Sequence, residues 1–233
     1  MHMLNRAPTN DYTARIAATE RDQLEAYRIR YAVYVAEQCK SYPSANHGRQ
    51  MLSDDLDSSA AIILVSGEKG PCGTVRANFL DSAGVRSVYE SQIDFSLLSS
   101  IPDHRISICS RLAVLPEHRG RIVSSLLFSE IYRYGLSRNT QLCFEACVPS
   151  LLPIFRRYGF REYLPPFLDP IVGKLHRMVL VLDDLAYLER VRSPFLRIAK
   201  QVGLAHQCRP WLEKRIEGCA MQTGTDPAVE YVG

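Results

Sequence analysis

The run Cys109-Ser110-Arg111-Leu112-Ala113-Val114-Leu115-Pro116-Glu117-His118-Arg119-Gly120-Arg121 limits what this chain can fold into more than any other stretch. It reads as a half-buried strand that stops at a proline, turns at an Arg-Gly pair and continues into a helix. A strand ending at a turn whose backbone N–H groups open a helix offers unpaired donors and a positive dipole end. Both suit a phosphate-bearing chain. After Arg121 come Ile122, Val123 and Ser124, so the turn exposes less bare backbone than a glycine-rich one would.

With 233 residues, 46% of them hydrophobic, the chain is long enough for one large domain, or one domain with an extension. The apolar runs at 60–65 and 178–182 fall far short of the roughly 20 residues that cross a bilayer. Residues 1–15 are polar and show no signal-peptide pattern, so a soluble cytoplasmic protein is expected. The seven cysteines, Cys39, Cys72, Cys109, Cys143, Cys147, Cys208 and Cys219, form no C-x-x-C pair and no metal-ligand spacing with histidine. They read as reduced thiols, and no metal is expected. A net charge of +3 does not argue for nucleic acid. Its distribution does point to an acidic partner, if Arg119, Arg121, Arg133, Arg138, Arg156, Arg157 and Arg161 share a face.

Along the chain, residues 1–18 are polar and expected to be flexible. A helix is predicted over 19–36 with Thr19 as N-cap, then a loop over 40–50. Strands follow at 60–66 and 72–79 around a turn, and an irregular insertion with a short helix spans 81–103. The central strand covers 105–114. The next helix, 119–137, carries Val123, Leu126, Leu127, Ile131 and Tyr134 inward. A strand at 142–147, a short helix at 149–158 closed by Gly159, and a strand at 173–182 complete a mixed α/β arrangement. Helices are expected at 183–192 and 194–202, and the tail from 218 has no periodicity. The main domain is therefore placed at 19–192, with a C-terminal helical extension and tail at 193–233.

The 109–121 segment resembles the core motif of the GNAT acyltransferase superfamily, whose turn reads R-x-x-G-x-G or A. Leu152-Pro153-Ile154-Phe155-Arg156-Arg157-Tyr158-Gly159-Phe160 is similar to that superfamily's Y-x-x-x-G-F segment, with Phe155 in place of the tyrosine that can protonate a departing thiolate. Four further motifs follow the order found in acyl-homoserine lactone synthases. They are Arg30-Tyr31-Ala32-Val33-Tyr34-Val35-Ala36-Glu37 for R-y-x-V-F-x-x-E, Asp54-Asp55-Leu56-Asp57 for D-x-x-D, Gly73-Thr74-Val75-Arg76 for G-x-x-R, and Ser110-Arg111-Leu112-Ala113-Val114 for S-R-f-x-V. Tyr158-Gly159-Phe160-Arg161 and the run from Pro166 to Pro194 resemble the related long-chain N-acyl amino acid synthases. The likeness covers roughly residues 20–198.

That resemblance implies a GNAT-like α/β (α+β) fold: a mixed, mostly antiparallel sheet flanked by helices, with splayed central strands. It implies transfer of a long-chain fatty acyl group from acyl carrier protein to the α-amine of an amino acid. The donor is the acyl-phosphopantetheine of acyl carrier protein, or acyl-CoA, and no tightly bound cofactor is implied. Arg30, Asp54, Asp57 and Arg76, with Arg111, are expected to form an ionic cluster holding a mobile helix and loop over the acyl chain. Leu112, Ala113 and Val114, with Arg119, Gly120 and Arg121, are the expected donor-binding residues, and the backbone N–H groups of 112–114 the expected oxyanion donors. Arg111, Glu145 and Glu37 are the catalytic candidates. Glu145 is the first choice of base for the acceptor amine, with a cross-strand ion pair to an arginine as the other reading; His118, Asp57 or a water path are further choices.

The lactone-synthase pattern places an acid three residues before the strand arginine, where this chain has Ile108. A lactone synthase using S-adenosylmethionine is thus the second reading, and a noncatalytic acyl-binding module the third. Ser110 lies in no G-x-S-x-G elbow, and direct amine attack makes a cysteine nucleophile unnecessary. An amphiphilic product would allow a peripheral membrane contact on release.

Overall fold

The computed structural model describes residues 12–98, 101–120 and 122–202. In chain order the elements are β1 (Thr13–Ile16), α1 (Glu20–Arg30), a π-helical segment (Tyr31–Glu37), β2 (Ala45–Asn46), β3 (Met51–Leu52), β4 (Ala61–Gly67) and β5 (Gly70–Phe79). Then come α2 (Val85–Tyr89), β6 (Ile106–Val114), α3 (Val123–Ser137), β7 (Leu142–Cys147), α4 (Leu152–Tyr158), β8 (Arg161–Asp169), β9 (Gly173–Val181), α5 (Leu185–Arg190) and α6 (Phe195–Gln201). Seven strands form one sheet in the order β1-β4-β5-β6-β7-β9-β8, and β2 and β3 pair separately. The β1/β4, β7/β9 and β8/β9 pairs are antiparallel, whereas β6 and β7 are parallel and are joined by the α3 crossover that parallel pairing requires. No helix among the described residues is long and apolar enough to cross a membrane.

The chain forms two compact units. Of the described residues, the first holds 12–57, 61–76, 111–120 and 122–131. Its core joins Ile63, Val65, Cys72, Val75, Val114, Val123 and Leu127. Gly73 lets α3 lie against β5: a Cβ there would stand 2.7 Å from the Val123 side chain and 3.2 Å from that of Leu127. Thr19 caps α1 as expected, its hydroxyl accepting from the Asp22 N–H.

The second unit holds 58–60, 77–98, 101–110 and 132–202. Parallel pairing of β6 with β7 covers only Ile106↔Leu142, Ser107↔Cys143 and Ile108↔Phe144, so the strands part before either ends. That is the splay the resemblance implied. Beyond the last pair, Ser110 on β6 and Glu145 and Ala146 on β7 become partly accessible, whereas the paired residues 106–108 and 142–144 are buried.

Three expectations need correction. Residues 13–16 are not flexible but form β1, with Thr13↔Ser66 through Ile16↔Ile63 in register on β4. The first helix does not stay α-helical to its end, because from Tyr31 it widens into a π-helix. A strand unforeseen in the sequence, β8, lies at the sheet edge. Pro165 and Pro166 lack N–H donors and are tolerated there because an edge strand needs only one laddered side, and the register shifts between Glu162 and Phe167. The aperiodic tail lies outside the described residues.

Gly159 ends α4 with φ 100° and N–H donation to Arg156, as the sequence predicts, and a Cβ there would meet Leu188 at 2.7 Å. Gly159→Ala is expected to lower stability by about 1–3 kcal/mol through backbone strain and overpacking. A urea midpoint unchanged from the parent would contradict that.

Candidate active site

The geometry of the site begins with one backbone angle. Successive residues of a strand present their N–H and C=O groups to opposite edges. On β6, Arg105 O accepts from Gln141 N, on the edge facing β7, at 2.7 Å, and Ile106 O accepts from Leu80 N, on the edge facing β5, at 3.0 Å. Farther along, Leu115 N donates to Cys72 O of β5 at 2.9 Å. An odd number of steps separates Ile106 from Leu115, so one residue in between is extra. Arg111, with φ 57°, is that residue, a bulge inside a central strand. As a consequence Leu112 and Val114 face the edge turned away from β5.

The two carbonyls on that edge are occupied. Tyr34 donates its hydroxyl to Leu112 O at 2.6 Å, and Arg119 donates Nε to Val114 O at 3.0 Å. Arg119 also meets Glu37 through two hydrogen bonds of 2.6 Å. Their hydrogen bond, more than the charge, holds the Glu37 carboxyl below its ordinary range. Glu37 and Tyr34 both belong to the π-helical segment, a rare form that is frequent at functional sites. Glu37, exposed at the last residue of that segment, is thus tied through Arg119 to the turn that follows β6. Gly120 supplies the turn's left-handed residue, φ 69°. Arg121 lies outside the described residues.

The same bulge carries Arg111 into the expected ionic cluster, all of which lies in the first unit. Arg30 donates to Asp57 Oδ1 at 2.8 Å and Arg76 to the same oxygen at 3.1 Å. Arg76 also bonds Asp54, whose other oxygen accepts from Arg111 at 2.7 Å. Asp57 Oδ2 closes the Asp54 turn by accepting its N–H at 2.9 Å. Arg30, Asp57 and Arg76 are 0%, 4% and 2% exposed, so this is a dry cluster, and removing one partner from such a pair costs about 3–5 kcal/mol. Three guanidinium groups face two carboxylates, and among the described residues Arg30 Nε and Nη2 meet no acceptor. Burial, and then the Asp57 and Arg76 charges, act on Arg30, with burial dominant and its pKa lowered. Arg111 sits at the accessible end of the cluster, its guanidinium 4.8 Å from the Tyr42 ring.

In the second unit, Glu145 stands opposite Met178, and Met178 opposite Glu162, which places all three on one face of the sheet. Glu162 is committed to Arg156 and to His176 Nδ1, the latter at 2.7 Å. Among the described residues no cation pairs with Glu145. Burial, assisted by the neighbouring Cys143, raises its carboxyl well above the ordinary range, against a smaller contribution from the Ala146 N–H. Its surface is partly accessible although surrounding atoms desolvate it.

Other sequence candidates fall elsewhere. His118 Nδ1 lies 2.9 Å from the Tyr12 hydroxyl, and Phe155 is 2% exposed with its ring edge-on to Phe160. Ile108, where the lactone-synthase pattern has an acid, is buried opposite Phe144. Burial pushes the Cys147 thiol up to about 12, and the Cys143 contact, with burial, raises Cys109 well above its ordinary value, so neither is poised as a nucleophile. Of the seven arginines expected to share a face, Arg119, Arg156 and Arg161 pair internally with Glu37, Glu162 and Asp184. No group of three or more metal-ligating side chains occurs among the described residues. Tyr34 is the site residue that sequence reasoning missed. Its one signal is a hydroxyl where the resembled motif has Phe.

A splayed mixed sheet with a bulged strand ahead of the donor turn defines a GNAT-like acyltransferase fold. The profile of the FeeM N-acyl amino acid synthases matches residues 25–181, and the chain belongs to that family. FeeM itself, an N-acyl amino acid synthase from uncultured soil microbes, superposes with TM-score 0.63 at 14% identity over 80% of this chain and 97% of that one. The acyl-homoserine lactone synthase LasI does so with TM-score 0.58 at 15% identity, over 74% of this chain and 91% of its own. The CoA-dependent acyl-homoserine lactone synthase BjaI gives 0.56 at 15%, over 88% and 98%. At such identities the structural likeness shows the fold. A comparison with curated proteins finds no match.

The cluster makes stability depend on pH. Burial alone would raise the Asp54 carboxyl, but the charges and hydrogen bonds of Arg76 and then Arg111 outweigh it and hold the pKa low. A carboxyl with a lowered folded pKa adds stability above its unfolded value of about 4, and that contribution is lost as pH falls through the lower folded value. The urea midpoint of Asp54→Asn should therefore lie below the parent's at pH 7 and converge toward it by pH 3. Parallel curves would show that Asp54 is not ionised in the fold.

Proposed function

We propose that this chain moves a long-chain fatty acyl group from the phosphopantetheine thioester of acyl carrier protein to the α-amine of an amino acid, forming an amide. The observation that carries the reading is the Arg111 bulge, which turns the Leu112 and Val114 N–H groups to the edge of β6 facing away from β5. Donors fixed in a strand need no reorganisation when the thioester oxygen gains charge, and one such donor is worth about 10²–10³ in rate. Membership of the synthase family supplies the reaction class.

Three features favour a carrier-protein donor. Ile122 and Ser124 occupy the turn positions where small residues would bare the backbone to a pyrophosphate, and Arg119 is engaged by Glu37. A protein-borne phosphopantetheine presents a single phosphodiester, a smaller demand on that turn. Arg133, Arg138 and Arg157, exposed in the second unit, suit a carrier's acidic surface.

In the mechanism, Arg111, at the accessible end of the cluster, is the candidate to meet an anionic group of the substrate. Glu145 accepts the proton that the amine sheds as it attacks. A carboxyl raised by burial is better matched to an amine than an ordinary one. The buried Ile108 leaves no acid where the lactone-synthase pattern has one, which places a lactone product second.

Purified chain should give N-acyl amino acid, detected by mass spectrometry, from acyl carrier protein thioester and a panel of amino acids. Product from acyl-CoA alone would overturn the donor assignment, and lactone from S-adenosylmethionine the acceptor assignment. Glu145→Gln should lower kcat by about 10²-fold or more with an unchanged thermal midpoint. In the parent, kcat/KM should climb with pH to a limb above the ordinary carboxylate range, since the base works only once deprotonated. A limb near pH 4 would remove Glu145 from that role.

A further inference from the structure

Amide formation from a thioester releases a thiolate, and the position at which the superfamily carries a proton-donating tyrosine has no proton to give here. Phe155 fills that place, is buried in the core against Phe160 and carries no proton. A hydroxyl is present where the resembled helix motif has phenylalanine, at Tyr34. We infer that Tyr34 is the catalytic acid that protonates the departing pantetheine thiolate; the inference rests on the acyl-transfer reading above.

The argument is positional. Along the open edge of β6 the polar groups follow in the order Leu112 N–H, Leu112 C=O, Val114 N–H, Val114 C=O. The Tyr34 hydroxyl, 2.6 Å from Leu112 O, therefore sits between the two N–H groups assigned to the thioester oxygen. A thioester whose oxygen reaches either donor brings its sulfur within a few ångströms of that hydroxyl. Before the donor arrives, the phenolic proton is held by a main-chain carbonyl, an interaction that a stronger acceptor such as a thiolate replaces.

The side chain is held for the task. Three residues on, Glu37 ties the π-helical segment to Arg119, which is itself bonded to Val114 O on the same edge. Tyr42 meets the Tyr34 ring at 6.0 Å between centroids and 63°, and the Lys40 ammonium lies 5.7 Å from the ring centre. That cation steadies the negative charge left on the ring when the proton departs.

The step balances. The amine nitrogen bonds to the thioester carbon, the carbon–sulfur bond breaks with its electron pair on sulfur, and sulfur takes the Tyr34 proton. The phenolate recovers a proton from the one that the amine shed, delivered through solvent, so thioester and amine become amide and free thiol with no net proton change.

The test compares the parent with Tyr34→Phe on two donors carrying the same acyl chain, one a pantetheine thioester of acyl carrier protein and one an aryl thioester whose thiolate leaves without protonation. Tyr34→Phe should lower kcat about 10²-fold on the first donor with little change in KM, and less than about threefold on the second. Equal losses on both donors would mark a structural role, and no loss on either would end the assignment. If the parent itself makes no amide from either donor, the transfer reading fails and takes this inference with it. Tyr34→3-fluorotyrosine keeps the shape of the ring with a more acidic hydroxyl, and should move the basic limb of kcat to lower pH. An unmoved limb counts against the acid role even where the phenylalanine variant folds poorly.

Discussion

A left-handed residue in the middle of a central strand ties the donor edge to the ionic cluster. Holding Arg111 at φ 57° costs on the order of 1–3 kcal/mol, and nothing in a regular sheet would return it. The return comes from the side chain, which the bulge carries to Asp54 and over the Tyr42 ring. The same rotation changes which residues face the open edge. Without it, Arg111 and Ala113 would present their amides there, and the Arg111 guanidinium would be rotated away from Asp54. The Arg111–Asp54 contact and the orientation of the Leu112 and Val114 amides are therefore two results of one distortion, and a change that relaxes the strand disturbs both.

The dry part of the cluster fixes position more than it adds stability. A buried ion pair gains little over apolar residues of the same volume, yet leaving one member unpaired is severe. Arg30 at the end of α1, the turn at 54–57 and Arg76 on β5 thus have one mutually satisfied arrangement. Because the π-helical segment continues directly from Arg30, that arrangement also sets where Tyr34 and Glu37 reach the strand. Arg111 lies at the accessible end of this arrangement.

Regular elements of the fold were legible because their patterns are local. The strand at 142–147 and the glycine closing α4 follow from alternation and from the left-handed preference of glycine. β8 was hidden because two adjacent prolines argue against a strand, an argument that fails at a sheet edge. β1 is short and polar, and only its pairing with β4 orders it. In the site, the charged residues could be gathered through their motif order, although Arg30 and Asp57 lie 27 positions apart. The bulge could not, since Ser110-Arg111-Leu112 alternates like any strand. Nor could the role of Tyr34, whose partner is a main-chain oxygen 78 residues away that no side-chain pattern marks.

The face of β7 that carries Glu145 bears on why transfer should be direct. Cys143, Glu145 and Cys147 alternate along that face, and Cys109 reaches Cys143 with the two sulfurs 3.1 Å apart. A negative charge on Glu145 raises the thiols of Cys109 and Cys147, on top of their hydrogen bonding and burial. Ionising the carboxylate, which general-base work demands, therefore holds these thiols in their protonated, unreactive form. A route through an acyl-cysteine would need the opposite: a thiolate while the carboxylate is neutral. A charged Glu145 and a thiolate at Cys109 or Cys147 thus oppose each other, and burial weighs against both thiols, whereas the contact with Cys109 holds the Cys143 thiol below its ordinary value. Under the proposed transfer, attack by the acceptor amine directly on the donor thioester asks nothing of the Cys109 and Cys147 thiols, which their surroundings hold protonated.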